Sequence, residues 1–358
     1  MRKSLIARLS PINLEEERDL FFASKESYNP IFAYAESEEV VASLSLHLPP
    51  VDLRFVKEAM NILERAKVSA EKKGNSVKID AGEFKNRITQ YLRLLRLEEL
   101  VKVEVSSPSL SVSVASVARS RTHQGTSAKV FISPFPVSAC IVESVCAHEI
   151  ATHLLRLLND EHQVWARGNR AAFNLKSHLN TEEGLACING LLADESPCPL
   201  LYSAALRYMG AVVACKSDFV TLFKEMSKYV SDKEECFRFC VRAKRGVVNT
   251  EVPKAFGLDQ SYLVGAVDIL RNVHSTDFVA LYSGLIDRED SQRLGNLLRL
   301  DVIRLPPFLS TAKALQAYKL RLVKIANAND IAVLSVRRGP SVKSLKKLTT
   351  VLKPHETC

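Results

Sequence analysis

His148-Glu149-Ile150-Ala151-Thr152-His153, followed downstream by Thr181-Glu182-Glu183-Gly184-Leu185-Ala186, is the pair of stretches on which the reading of this chain turns. Two imidazoles flank a carboxylate, and two more carboxylates follow. Nitrogen ligands, an oxygen ligand and a base for water are the parts that zinc-dependent peptide hydrolysis requires. The spacing is unusual. In the common H-E-x-x-H arrangement the histidines are four apart and point about 40° from each other on one helix face. Here they are five apart, which on a regular α-helix separates them by about 140°, too far to grip one ion. A π-bulge, with roughly 4.4 residues per turn, brings positions i and i+5 back to within about 50°. The motif therefore predicts a local π distortion. Ala151 and Thr152 fill the extra turn, and the Thr152 hydroxyl is placed to accept a hydrogen bond from a freed N–H or to return one to a carbonyl.

On this reading His148 and His153 ligate a single Zn2+ through neutral imidazole nitrogens, with a downstream glutamate as third ligand and one position left for water. Glu149 stays off the metal and acts as general base, passing its proton on to the leaving amine. Adjacent helical residues point about 100° apart, so periodicity leaves Glu182 and Glu183 as alternatives for the third ligand, with Glu183 preferred. Gly184 then permits close approach of a neighbouring helix. His162 and His178, between the motifs, are rival ligands, and Cys236 with Cys240, one helical turn apart, forms a separate pair able to bind metal. A lone histidine is more often a hydrogen-bonded core or surface residue. Two on one predicted helix with a glutamate between them reverse that expectation.

Most of the surrounding chain reads helical. Segments 14–24, 52–73 and 81–99 carry apolar residues at helical spacing, with Asn13, Asp52 and Asp80 as caps, and Lys72-Lys73-Gly74-Asn75 reads as a turn. Alternating apolar and polar residues over 101–117, broken at Ser106-Ser107-Pro108, and the run Lys129-Val130-Phe131-Ile132 predict strands. The metal helix is expected from about Pro136, in a first-turn position, to about Asn159. A second helix spans 181–193, with Thr181 in its cap, and further helices lie at about 199–214, 218–230, 232–243, 259–273 and 311–326. The expected architecture is α+β and mainly helical, a zincin-like metallopeptidase domain with a small antiparallel or mixed sheet beside the metal-binding helix. Its boundaries are an N-terminal segment 1–27, a catalytic domain 28–330 and a basic tail 331–358. An edge strand near the metal helix is placed either to pair with an extended substrate backbone or simply to cap the core.

With 358 residues, 47% hydrophobic and 25% charged, the chain can bury a sizeable core. No run reaches the eighteen or so apolar residues of a membrane span, and Arg8 interrupts the first residues before a signal-peptide core can form. The cytosol is therefore the expected location, with no membrane partner. Eight cysteines without a C-x-x-C pair read as buried reduced thiols. The formal charge is +9, with Arg337, Arg338, Lys343, Lys346, Lys347 and Lys353 concentrated in the tail. Such a tail is either a solvated end or a contact for an acidic surface. No aromatic residues interleave those lysines, so nucleic acid is not expected as a partner.

The two motifs, together with Cys240-Val241-Arg242-Ala243-Lys244-Arg245-Gly246, Phe256-Gly257-Leu258-Asp259-Gln260-Ser261-Tyr262-Leu263-Val264-Gly265, Tyr28-Asn29-Pro30-Ile31-Phe32-Ala33-Tyr34 and Arg304-Leu305-Pro306-Pro307-Phe308-Leu309, resemble the microtubule-associated tyrosine carboxypeptidases. These are H-E-x-x-x-H tubulin detyrosinases related to bacterial proteins named for a Q-E-G-L-A motif. The resemblance covers about residues 28–310. It implies removal of a C-terminal aromatic residue, tyrosine, from the acidic tail of α-tubulin by a one-zinc enzyme associated with the cytoskeleton. His148, His153 and Glu183 match the family's metal ligands, and Glu149 its catalytic glutamate. Two departures accompany it. Ala151 stands where the family's helix usually has glycine, which bears on how easily the wide turn forms. The long N-terminal extension of animal members is missing, which bears on microtubule attachment.

An exopeptidase also needs a fixed cation for the substrate's terminal carboxylate, for which a forked guanidinium is best suited. Arg245, Lys244 and Arg242 are candidates, and Tyr262 is a candidate donor to the oxyanion. The alternative for all four is surface charge or a structural hydrogen bond. The sequence therefore predicts a cytosolic metallocarboxypeptidase acting on protein C-termini. Its rivals are a metallopeptidase with another protein substrate, and a binding or regulatory protein whose metal is structural or absent.

Overall fold

A computed structural model describes residues 5–69, 77–105, 115–122, 125–166, 168–193 and 199–335. The expected turn at Lys72 to Asn75, the strand residues Leu110 to Val114, Cys198, Cys358 and the basic tail from Arg337 onward lie outside the described residues. Contacts divide the chain into two compact units, one drawn from 1–72 and 201–263, the other from 73–107, 113–200 and 264–358.

The first unit is helical. Its longer helices are Leu14–Ala23, Glu38–Leu46, Val56–Ser69, Tyr202–Ala214, Phe219–Met226 and Lys233–Ala243. Phe21, fully buried, meets the rings of Phe223, Phe219 and Phe237 at 4.9, 5.3 and 5.3 Å between centroids. Edge-to-face and tilted pairs of this kind contribute about 0.5–1.5 kcal/mol each beyond area burial. The chain before residue 28 thus contributes to a hydrophobic core. Asp218 and Asp232 cap their helices by accepting from Thr221 N and Glu235 N, each at 2.7 Å. Asn13 stands at the expected N-cap position but makes no side-chain cap bond. Its amide instead donates to Ile31 O and accepts from Ala33 N, because the extended segment after residue 30 offers unpaired backbone. Asp52 caps a short 3-10 turn, Leu53–Phe55, ahead of the helix proper.

The second unit holds the sheets. Strands β1 (Lys78–Ile79), β2 (Val101–Val105), β3 (Ala115–Thr122), β4 (Gly125–Ile132) and β5 (Val137–Ser138) form a two-stranded pair β1-β5 and a three-stranded sheet of order β2-β4-β3. β2 runs parallel to β4, Val101 opposite Ala128, and β3 runs antiparallel, Ala115 opposite Ile132. The small sheet is thus mixed. Ala128, Val130 and Ile132 are buried while Lys129 and Phe131 between them are half-exposed, the period of two of a strand with one covered face. β3 runs beside the helix that carries the histidines.

That helix spans 142–160 in three continuous parts, Val142–Val145, Cys146–Leu154 and Leu155–Asp160. It contains no proline or glycine, and alanine, leucine and glutamate supply most of its helical propensity. Pro136 does not open it as expected. It precedes β5, and a 3-10 turn, Ala139–Ile141, leads in. The second motif lies on Leu179–Ala193, which starts two residues before Thr181. Thr181 is therefore inside the helix, and its hydroxyl donates to Asp287 Oδ2 at 2.8 Å rather than capping. Two glycines inside this helix each cost about 1 kcal/mol relative to alanine, and packing explains both. A Cβ at Gly184 would sit 2.2 Å from Gly265 C on the helix Ser261–Arg271, and one at Gly190 would sit 3.1 Å from Ser144 Oγ. The close helix approach expected at Gly184 is present.

Candidate metal centre

Residues Cys146–Leu154 are π-helical, the distortion that the five-residue histidine spacing demands. Leu155 N–H reaches back five residues to Ile150 O, and Thr152 Oγ1 donates to Ala147 O, also five residues back, at 2.8 Å. Ala151 occupies the wide turn fully buried without preventing it. The two imidazoles consequently stand together, 5.0 Å between ring centroids. His148, His153 and Glu183 each offer one ligand atom, and all three atoms lie within 4.8 Å of one another. Glu183 Oε2 is 3.9 Å from His153 Nε2, and Glu149 Oε1 is 3.9 Å from His148 Nε2.

The question between Glu182 and Glu183 has a geometric answer. Glu183 joins the cluster, while Glu182 takes the back of the imidazole, its Oε1 2.7 Å from His153 Nδ1. Glu182 Oε2 accepts from Arg156 Nη1. Arg156 is fully buried, and its remaining donors reach Leu281 O at 3.2 Å and Ile286 O at 2.7 Å. A carboxylate on Nδ1 fixes the tautomer and leaves Nε2 facing the cluster, the arrangement that orients histidine ligands of metals. The sequence reading missed this Arg156–Glu182–His153 chain. Its signal was an arginine inside the apolar run Leu154-Leu155-Arg156-Leu157-Leu158, which can be buried only with an acidic partner.

The electrostatics fit a cation. Burial alone would lower the His153 pKa, but the hydrogen bond that the ring donates to Glu182 and the charges of Glu183, Glu182 and Glu149 outweigh it and raise it to about 10. Burial likewise opposes ionisation of Glu182, and the Arg156 charge overcomes it, so its pKa is lowered. Three carboxylates thus act on His153, one of them also paired with Arg156, and the site draws a positive charge onto that imidazole. Two imidazole nitrogens and a carboxylate oxygen at this separation are a donor set suited to zinc among several divalent ions. Of the rival ligands, His162 is exposed. His178, its pKa lowered chiefly by burial, does not join the cluster. Cys236 and Cys240 are fully buried free thiols.

The remaining candidates belong to the first unit. Lys244 is fully buried, its Nζ donating to Ala214 O, Ser217 O and Val252 O at 3.1, 2.6 and 2.7 Å. All three ammonium protons are thereby used within the fold, which matches the structural-hydrogen-bond alternative. Burial pushes its pKa down to about 8. Arg242 forms a two-pronged ion pair with Asp259. Arg245 is 5% exposed, its guanidinium 5.1 Å from the Phe256 ring centre, and its Nη1 has no hydrogen-bond partner among the described residues. Burial lowers its pKa to about 10, so it is charged at neutral pH. The Tyr262 ring lies 4.3 Å from the guanidinium of Arg207 and 5.8 Å from that of Arg242. Arg207 carries no motif and was not anticipated.

Residues 33–329 match the sequence profile of a family described as microtubule-associated tyrosine carboxypeptidase. Microtubule-associated tyrosine carboxypeptidase 1 of Mus musculus is 31% identical over 338 residues, covering 91% of this chain and 69% of the relative. The Homo sapiens protein of the same name is also 31% identical over 338 residues, covering 91% of this chain and 68% of its own length. The chain thus spans about two thirds of the length of these relatives. No described helix is long and apolar enough to cross a membrane.

Proposed function

Since the chain belongs to the microtubule-associated tyrosine carboxypeptidase family, we propose that it is a zinc-dependent carboxypeptidase that removes a C-terminal tyrosine from a protein tail, α-tubulin's first among them. The single observation that carries the chemistry is the convergence of His148, His153 and Glu183 with Glu149 beside them. These three residues would hold one divalent ion. When bound there, such an ion supplies Lewis-acid polarisation of the scissile carbonyl and makes water more acidic. Glu149 takes the proton from the attacking water on a carboxylate oxygen and delivers it to the departing amine nitrogen. Glu182 and Arg156 keep the His153 ring oriented. Arg245 is proposed for the substrate's terminal carboxylate, on the strength of its unpartnered Nη1 among the described residues, and Tyr262 for the carbonyl oxygen as charge develops. Lys244, with its protons used internally, has the weakest case of the substrate-binding candidates.

The same reading takes 28–330 as the catalytic region, zincin-like in the relation of its helix to its sheet, with 1–27 and the basic 331–358 as flanking segments. The formal charge of +9 suits an acidic tail as partner, and the family suits a cytoplasmic, cytoskeleton-associated location.

Peptides ending in Glu-Glu-Tyr test the proposal. Free tyrosine is expected, and both amidation of the C-terminus and a chelator should abolish its release. Internal cleavage would make the protein an endopeptidase, and absence of turnover with metal bound would reduce it to a binding protein.

Metal affinity should also depend on pH. The His153 proton is held up to about pH 10 in the metal-free site, so an entering cation displaces it at neutral pH. Raising the pH lowers the cost of that displacement. Affinity measured by chelator competition should therefore rise by up to about tenfold per pH unit between about pH 7 and 9, and an affinity independent of pH would contradict the assignment.

A further inference from the structure

A π-turn in a helix otherwise built for four-residue spacing needs something to keep it from relaxing, because the wide turn leaves carbonyls that the α-ladder serves poorly. Around the wide turn lies a buried polar network, of which sequence reading anticipated only the bond of the Thr152 hydroxyl to a carbonyl. Tyr282 Oη donates to Ala151 O at 2.8 Å, inside the wide turn. Thr152 Oγ1 donates to Ala147 O at 2.8 Å and accepts from Asn189 Nδ2 at 2.8 Å. The other proton of the Asn189 amide goes to Tyr282 Oη at 3.1 Å, and Asn189 Oδ1 accepts from Tyr318 Oη at 2.8 Å. All four residues are buried, none more than 2% exposed. Burial pushes both phenol pKa values upward, so both tyrosines remain donors.

The network joins the elements that must agree for the cluster to exist. Asn189 lies on the helix Leu179–Ala193, seven residues after Glu182, and two helical turns place the pair on one face. Glu182 meets His153, and Asn189 meets its neighbour Thr152. The helix that presents Glu183 is thereby tied to the turn that presents both histidines. Tyr282 follows the short helix Phe278–Leu281, and Tyr318 lies on Ala312–Ala328, so late parts of the chain fix the geometry of a motif far upstream. Every side-chain polar atom in the network has at least one partner, and a satisfied buried network of this kind specifies one arrangement.

We infer that Tyr282, Asn189 and Thr152, backed by Tyr318, form a clamp that holds the histidine helix in its π conformation and so positions His148 and His153 for one ion. They are positioning residues, acting through the histidines. Return of the turn to α geometry would swing the two rings from about 50° to about 140° apart and disperse the ligand set. This inference rests on the metal-centre reading, and its test separates the two.

The experiment titrates the full chain with Co2+ alone, followed by chelator competition and the visible absorption of the bound ion, and measures backbone amide exchange across 147–155 in the metal-free protein. Tyr282→Phe removes one hydroxyl without changing the ring. It should bind Co2+ about 10–100-fold more weakly, with an altered spectrum and amide exchange about tenfold faster or more in the turn. Thr152→Val should behave similarly and serves if Tyr282→Phe fails to fold. Thr152→Ser, which keeps the hydroxyl, should retain parental affinity. Parental affinity, spectrum and exchange in both Tyr282→Phe and Thr152→Val would overturn the clamp. Faster exchange in Tyr282→Phe when the parent binds no Co2+ would overturn the metal reading and leave the clamp standing.

Discussion

Glu149→Gln should lower kcat by about 10²–10⁴-fold, the range that a positioned general base supplies, while metal content and fold stay as they are. The amide has the same shape as the carboxylate and cannot take a proton, so the substitution isolates proton transfer. Glu149 is not one of the three residues whose ligand atoms converge, and metal stoichiometry should remain at one ion. The substitution has a second, smaller effect whose sign is fixed. The Glu149 charge helps raise the His153 pKa, so neutralising it loosens the proton on His153, and the pH dependence of metal affinity should become shallower. Tyrosine release from a Glu-Glu-Tyr peptide, measured beside metal analysis on the same sample, checks both. Full activity in Glu149→Gln would assign the base to another group. Lost activity together with lost metal would mean that Glu149 holds the ion.

The histidine spacing alone carried much of the local structure, because helical geometry leaves few ways for residues five apart to share a face. The π-turn and the Thr152 back-bond were legible for that reason, and the approach at Gly184 was legible from the glycine itself. The choice between Glu182 and Glu183 was not legible from periodicity, since it depends on the rotation of a whole helix against its neighbour, which Gly184 and Gly190 set by contact. The helix Glu38–Leu46 was missed because Ser37 makes no side-chain cap bond ahead of it, and the short helices after residue 275, although capped by Asp277 and Asp287, are too brief to show a repeat. The Asn13, Thr181 and Pro136 expectations failed in a common way. Asn13 and Thr181 had competing partners, Ile31 O and Asp287, that only the folded chain brings near, and the residues after Pro136 pair as β5 with the distant β1. Tyr282, Asn189 and Tyr318 were invisible because nothing local marks a tyrosine as the partner of a carbonyl over a hundred residues away.

Arg156→Met should be the most destabilising single change at the site, by about 3–5 kcal/mol, because it takes the guanidinium from a buried carboxylate and leaves that carboxylate only its bond to His153. Arg156 is fully buried and Glu182 nearly so, and loss of the guanidinium also strips Leu281 O and Ile286 O of their donor. Buried ion pairs are often no more stable than apolar pairs of the same size, whereas half of one is costly. The double variant Arg156→Met with Glu182→Met should therefore recover much of the loss, and the shortfall from additivity measures the coupling. The acid limb provides an independent check. The Glu182 pKa is lowered in the fold, so its contribution is fully present above the ordinary glutamate value and is lost as pH falls through the lower folded one. Removing Arg156 takes away the largest cause of that lowering, and the variant should lose less stability on acidification than the parent does. Denaturant midpoints at neutral and acid pH give both numbers. A single variant no less stable than the double would mean that the orienting carboxylate does not depend on Arg156, and His153 would need another explanation for its fixed ring.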